Sequence, residues 1–362
     1  MIKKIVNEYL PDTVSHPGAT LQDILEEKGL TQAEVAERTG RPKKFINEII
    51  KGKTSISPET AIQFERVLGL PAAFWNQRQK MYDQSAAWLK ERQELTKSLA
   101  WLDNFPIREM ISLKWIKKCP DKVDQLSELL GFFAVSTPAQ WAGLWQKPDA
   151  IYRMSAKFDT SIYSRSAWLR QGVIESIEVS CREFSKSSFE QALAEIRKLT
   201  EHSPDYFESR LVDLCAESGV AVVFVPGLPK LPINGVTRWL TPHKAILQMS
   251  LPGKYEDIFW FTFFHEAAHI LMHGKRDVFI EYKDKEKDQK EVQADEFAAN
   301  FLIPKAKWQA FINSGKYNTK IHVKQFAKGL GISPAIIVGR LHHEKLLQQS
   351  HMNDLRKKVK FS

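Results

Sequence analysis

Residues 265–269 read His265-Glu266-Ala267-Ala268-His269. Two histidines four positions apart share one face of a helix, close enough for both imidazoles to reach a single Zn2+ ion. Glu266, one step round, points toward the open coordination position, where a carboxylate can take a proton from a water that the metal has acidified. Metal-assisted peptide hydrolysis needs this arrangement. Glu291, twenty-two positions after His269, supplies the third ligand of a His2Glu set. Asp295 lies one turn beyond Glu291 on the same helical face, placed to accept the spare N–H of a ligand histidine. His273 follows His269 by one turn, but no glycine turn brings it back to the metal. It is read as supporting a ligand or ending the helix rather than binding the ion.

The elements around these residues must hold them in place. Ile258-Phe259-Trp260-Phe261-Thr262-Phe263-Phe264 is almost wholly apolar and runs directly into the motif, which predicts a helix buried on most sides. Polar groups there would each cost about 1–3 kcal/mol without a partner, and a metal is the obvious partner. The plainer alternative makes His265 and His269 satisfied core histidines, with Glu266 as a local hydrogen-bond partner and Glu291 part of the charged run 281–291. Upstream, Leu211–Ser218 reads as a helix and Val220–Val225 as a strand. Gly235–Leu240 and Lys244–Met249 read as two more strands about a Thr241-Pro242 turn. An edge strand of that sheet could bind an extended substrate by strand addition. Lys275–Lys290 is densely charged and reads equally well as a flexible lid or a solvated loop.

Composition bounds the rest. The chain has 362 residues, 43% of them hydrophobic, enough for two or three domains with real cores. Its formal charge is +9, from 52 basic and 43 acidic residues. Cys119, Cys181 and Cys215 are odd in number and far apart, which argues against a disulfide framework or a CxxC knuckle. No run approaches a membrane span and Met1–Glu8 lacks a signal-peptide core, so a cytoplasmic protein with no membrane partner is expected.

Between His16 and Lys80 the pattern is of short helices separated by tight turns: Leu21–Glu27, Thr31 to Arg38, Lys43–Lys51, Glu59–Val67, and a fifth from Pro71 to about Met81. The second and third meet at Thr39-Gly40-Arg41, a helix-turn-helix arrangement. Thr31 and Gln32 open the second helix, where backbone N–H groups suit a phosphate. Lys43, Lys44 and Asn47 face outward on the third, and Lys51 and Lys53 extend the positive face. From Arg38 to Lys53 six basic residues, Arg41 among them, meet one acid, Glu48. That imbalance favours double-stranded DNA over a plain solvated face.

From Ser85 to His202 no catalytic constellation appears. Leu95–Leu102, Asp121–Phe132 and Phe189–Leu199 read as amphipathic helices. Phe132, Phe133, Trp141 and Trp145 read as core rather than a ligand cage. Val323–His342 has a helix-turn-helix-like pattern that is read as structural, and Arg356–Lys360 reads as a frayed basic tail.

Two resemblances organise these readings. His16-Pro17-Gly18, Leu30–Ala36, Asn47–Lys53 and Ala72-Ala73-Phe74-Trp75 resemble the Cro/C1-type helix-turn-helix family, more narrowly HigA-type antitoxins, which implies a dimeric operator binder. Arg41-Pro42-Lys43-Lys44 is more basic than in many relatives, so sequence preference does not transfer. Trp260–His269 together with Ala294–Pro304 resembles the ImmA/IrrE metallopeptidase family, whose members cut DNA-bound repressors. That resemblance implies zinc ligands at His265, His269 and Glu291 and a general base at Glu266.

The expected fold is mainly α with a small β-sheet in the C-terminal part (α+β). It comprises a five-helix N-terminal bundle (1–85), a helical linker or dimerisation region (86–204), a gluzincin-like peptidase domain (205–346) and a basic tail (347–362). The expected function is a DNA-binding, antitoxin-like regulator fused to a zinc endopeptidase-like domain that cleaves a regulatory protein or itself. Its expected partners are an operator, a protein substrate or cognate toxin, and a second copy of the chain. The alternative is a non-enzymatic repressor or antitoxin whose zinc site is structural or sensory.

Overall fold

The computed structural model describes residues 15–145, 162–229, 231, 233–250, 255–273, 279–282 and 289–359. The chain divides after Leu99 into two compact units. It is mainly helical with one small sheet, as its patterning predicts.

In the first unit α1 (Pro17–Glu27), α2 (Gln32–Thr39), α3 (Lys43–Ile50), α4 (Pro58–Leu68) and the long α5 (Ala72–Thr96) surround a core that includes Leu21, Val35, Ile46, Ile49, Phe64 and Trp75. α1 starts four residues before the sequence pattern suggests, because the His16 ring caps it: Nδ1 accepts the Gly18 N–H at 2.9 Å. Gly18 lies against the Ile49 carbonyl, where no Cβ fits, so the start of α1 and the end of α3 meet through glycine. α2 has a complete capping box between Thr31 and Glu34 and ends at Gly40 with φ +66°. α5 continues fifteen residues beyond Met81, so the boundary expected at residue 85 falls inside a helix.

The division falls in a 3₁₀ turn (Leu99–Asn104), and the expected Leu95–Leu102 helix is replaced by the end of α5 and this turn. There follow α6 (Ile107–Ser112), α7 (Lys122–Phe133), α8 (Pro138–Trp145), α9 (Ile162–Glu178), α10 (Lys186–Leu199) and α11 (Pro204–Ala216). Phe132, Phe133 and Trp141 are buried, and Trp141 stacks on Tyr163 at 4.9 Å; these aromatic residues are core.

The sheet has the order β1-β3-β2-β4, with β1 Val220–Phe224, β2 Ile233–Thr241, β3 Lys244–Met249 and β4 Phe279–Tyr282. β1 and β3 are parallel; β2 is antiparallel to both β3 and β4. β4 lies within the segment expected to be a lid or loop. It pairs Thr237 with Phe279 and Ile233 with Tyr282, with an irregularity between Ile233 and Val236. The sheet packs on α12 (Glu256–Met272), which also meets α13 (Gln289–Leu302) and α16 (Pro334–His343). α14 (Lys305–Asn313) and α15 (Lys320–Leu330) complete the unit.

Residues up to 359 are docked rather than frayed: Arg356 pairs with Asp257 at 2.7 Å, Lys357 O accepts the Glu256 N–H at 2.9 Å, and Val359 is buried. Lys360, the last of that basic run, lies outside the described residues. In the helix-turn-helix-like pair α15–α16, the second helix buries Ile336, Ile337, Val338 and Leu341 in the core, so it has no free face to enter a groove. The structural reading of that pair holds. Among the described residues no helix is long and apolar enough to cross a membrane.

Candidate metal centre and helix-turn-helix surface

α12 is apolar on nearly every side, which is why it is buried along most of its length. Its first turn is fixed from outside the helix: Ser333 Oγ donates to Glu256 at 3.0 Å, and Asp257 takes the Arg356 guanidinium at 2.7 and 3.0 Å. One long rigid helix thereby delivers His265, Glu266 and His269 to a common depth. Their exposures are 1%, 0% and 2%. α13 brings Glu291 and Asp295 alongside.

His265 Nε2 and His269 Nε2 are 3.1 Å apart. Glu291 places one carboxylate oxygen 3.3 Å from the first and the other 3.7 Å from the second. Four ligands at about 2.0–2.1 Å around zinc stand about 3.3–3.4 Å from one another, and the separations here are close to that, with one ligand atom from each of the three residues lying within 4.8 Å of the others. The outer ring nitrogens settle which atoms face inward. His265 Nδ1 lies 3.0 Å from Asp295 Oδ1 and donates to it. His269 Nδ1 lies 2.8 Å from His273 Nδ1 and His273 Nε2 3.3 Å from Gln293 Oε1; with the Gln293 oxygen as acceptor, His273 Nε2 carries its proton and His273 Nδ1 is left to accept from His269. Both inner nitrogens then present lone pairs, next to a carboxylate. In that tautomer two imidazole lone pairs and a carboxylate converge on one point, a donor set that a divalent metal would satisfy. Burial, followed by the charges of His265 and His273, pushes the His269 imidazole down to about 2, which holds it neutral.

Glu266 lies beneath β2. Its backbone carbonyl accepts the Thr237 hydroxyl at 3.2 Å. Gly235, two residues earlier on the same face of β2, leaves room for its side chain: a Cβ there would stand 2.8 Å from Glu266 Cγ and 2.9 Å from Oε1. The motif reading missed Gly235, Thr237 and Gln293. For Gly235 a signal was available, since an isolated glycine within a strand often marks a close approach. For Thr237 and Gln293 there was none.

The residues singled out on the first unit are brought to one region with unequal freedom. Lys43, Lys44, Lys51 and Lys53 are exposed, and Asn47 and Gln32 are half-buried. Lys44 reaches Glu48 at 3.9 Å. Arg41 is held down: Nε donates to Gln63 at 2.9 Å and the guanidinium lies 5.2 Å from the Phe45 ring centre. Thr31 is committed to its cap, with its N–H and hydroxyl both donating to Glu34 at 2.8 Å. Those bonds, the backbone one first, hold the Glu34 carboxyl below its usual range.

Residues 21–75, from α1 into α5, match the family described as helix-turn-helix. Residues 256–342, from the first residue of α12 into α16, match the IrrE N-terminal-like domain. The chain joins a helix-turn-helix domain to an IrrE-like domain in one polypeptide. Virulence-associated protein A of Dichelobacter nodosus is 38% identical over 69 residues, covering 18% of this chain and 68% of that protein, and the chain belongs to that protein's family. Among solved structures it is similar to an addiction module antidote protein of the HigA family from Coxiella burnetii, at 25% identity over 23% of this chain and 92% of that one, with a TM-score of 0.22. It is also similar to the Pseudomonas aeruginosa antitoxin HigA solved with the higBA promoter, at 25% identity over 23% and 90%, with a TM-score of 0.22.

Proposed function

We propose that this chain is a DNA-binding regulator whose second unit is a zinc-dependent endopeptidase acting on a regulatory protein or on the chain itself. The observation that carries the enzymatic half is the convergence of His265 Nε2, His269 Nε2 and the Glu291 carboxylate, with separations of 3.1, 3.3 and 3.7 Å, and Glu266 adjacent on the same helix. These three residues would hold zinc. When bound, zinc supplies Lewis acidity for a peptide carbonyl and for water. Asp295 and the His273–Gln293 relay keep the two imidazoles in the tautomer that turns Nε2 inward. Glu266, seated by Gly235 and Thr237, takes a proton on its carboxylate as the attack begins and returns it to the departing amine. The depth of all three α12 side chains excludes bulk water and strengthens each interaction. A purely structural or sensory metal would not need a carboxylate in Glu266's place, and this favours the enzyme over the non-enzymatic alternative.

The DNA-binding half rests on the helix-turn-helix match and on the exposed lysines of α3 and the turn after it. α3 presents Lys43, Lys44 and Asn47 to the duplex, and Lys51 and Lys53 add phosphate contacts. Thr31 and Gln32 lie at the start of α2, and Arg41 acts through its neighbours. Proteins of this class bind paired half-sites, so a homodimer on a cytoplasmic operator is the working form.

The experiment is elemental analysis of protein purified without chelator, beside His265→Ala and Glu266→Gln, with a fluorogenic peptide library as cleavage probe. The parent should hold about one zinc per chain. His265→Ala should lose it; Glu266→Gln should keep it and lose cleavage. A parent that stays metal-free after zinc is supplied, or a Glu266→Gln protein that cleaves as well as the parent, overturns the enzymatic reading.

A further inference from the structure

The second unit carries a charge asymmetry that the metal centre does not use. Between Glu296 and Glu344 there is no aspartate or glutamate in 47 residues, where the chain's average would place about five or six. The same stretch has seven cations. Arg340 turns inward over the Trp308 ring and bonds Glu344. The other six are lysines: Lys305, Lys307, Lys316, Lys320, Lys324 and Lys328, all exposed.

The fold sets three of these lysines along one exposed helix flank. α14 and α15 are clamped by the Phe311–Phe326 stack, 4.1 Å between ring centres and 7° from parallel. α15 buries Val323, Ala327 and Leu330, which leaves Lys320, Lys324 and Lys328 on its solvent side at four-residue spacing. Successive lysines at that spacing are about 6 Å apart along the helix. Lys316, also exposed, lies in the 3₁₀ turn just before α15. Lys320 is partly neutralised by Asp354 at 2.9 Å, a carboxylate that also feels the Lys324 charge; among the described residues no ion pair within 4.0 Å involves Lys316, Lys324 or Lys328. Ile321, 63% exposed, stands beside the row.

We propose that this lysine row is a second DNA-contact surface, on which the second unit lies against the phosphate backbone of duplex DNA without reading its sequence. The inference builds on the operator-binding reading of the first unit. A protruding row of mobile point charges suits a repeating polyanion better than a small anion, which would call for a concave cradle. It offers neither the aromatic or arginine anchors of a protein interface nor a helix free to enter a groove, since α16 is buried. The contact is therefore with backbone rather than base edges. It would keep the metal centre close to whatever protein occupies the same DNA.

The experiment measures binding of the full chain to a long duplex of arbitrary sequence across a salt series, with three proteins. These are the parent, Lys43→Ala/Lys44→Ala, and Lys316→Gln/Lys324→Gln/Lys328→Gln, which leaves the Lys320–Asp354 pair intact. If the row contacts phosphates, the triple variant loses up to about 2.7 from the slope of log affinity against log salt, 0.9 for each lysine. It should retain the parent's thermal transition. The loss should recur when the triple change is added to Lys43→Ala/Lys44→Ala, which separates this surface from the first unit. If the α3 variant binds like the parent while the triple variant does not, the operator reading fails and the lysine row stands. If the triple variant keeps the parent's slope and affinity, the proposal is overturned, including the case in which the row serves an acidic protein.

Discussion

Gly235→Ala is the substitution through which the seating of Glu266 can be measured. A Cβ at 235 would stand 2.8 Å from Glu266 Cγ, 2.9 Å from Oε1 and 3.0 Å from Thr262 Cγ2. Comfortable contact between carbons begins near 3.5 Å, so the carboxylate must retreat by roughly 0.7 Å or the strand must lift. Overpacking of this kind costs about 1–3 kcal/mol, offset by about 0.4–1 kcal/mol because alanine restricts the unfolded chain. The expected net loss is about 1–2 kcal/mol of stability. A reacting carboxylate displaced by close to 1 Å loses on the order of 100-fold in turnover, while zinc stoichiometry stays at the parent's value because no ligand moves. The decisive assay is a double-mutant cycle in chemical denaturation, which needs neither metal nor substrate. In a Glu266→Ala background the two nearest contacts are gone and only Thr262 Cγ2 at 3.0 Å remains, so Gly235→Ala should cost markedly less than in the parent. An unchanged penalty in that background would refute the reasoning and leave Gly235 as an ordinary strand position.

Two further outcomes follow from the same structure. His273→Ala removes the acceptor of the His269 Nδ1–H, found at 2.8 Å; zinc affinity by competition with a chromogenic chelator should weaken about 10–100-fold, and an unchanged affinity would dismiss the relay. His16 is held below its ordinary pKa, by burial first and the Arg78 charge after it, and its Nδ1 must be unprotonated to accept the Gly18 N–H. The unfolded chain therefore takes up a proton before the folded one does. Stability from this cap is complete above pH 6.5 and falls as pH drops from there through the lower folded value. Unfolding of the first unit followed against pH should show that decline, and His16→Asn, which keeps an acceptor but does not titrate, should flatten it.

What the chain alone determined are the features that depend on neighbours a turn or two away. The i, i+4 pairing of His265 and His269 follows from helical period. The Thr31–Glu34 box and the Gly40 stop are local hydrogen bonding and backbone freedom. The β-branched run at 220–225 announces its strand. The acid-free stretch after Glu296 is visible by counting, though not which of its lysines would share a face. Tertiary structure decided the rest, because the contacts concerned join residues far apart in the chain. β2 crosses α12 where Gly235 and Thr237 meet Glu266, some thirty positions later, and only that crossing turns a strand glycine into part of the site. The four-residue β4 was too short and too heavily flanked by charge to stand out; it is a strand because β2 offers it an edge. Arg356 and Lys357 look like a solvated tail until Asp257 and Glu256, a hundred residues earlier, are placed beside them. The helix-turn-helix pattern of α15 and α16 is the same in sequence whether its second helix faces water or core, and burial against α12 assigned it to the core. Periodicity and capping are short-range physics, so sequence carries them directly, whereas the partner of a buried polar group is fixed only when the whole unit closes around it.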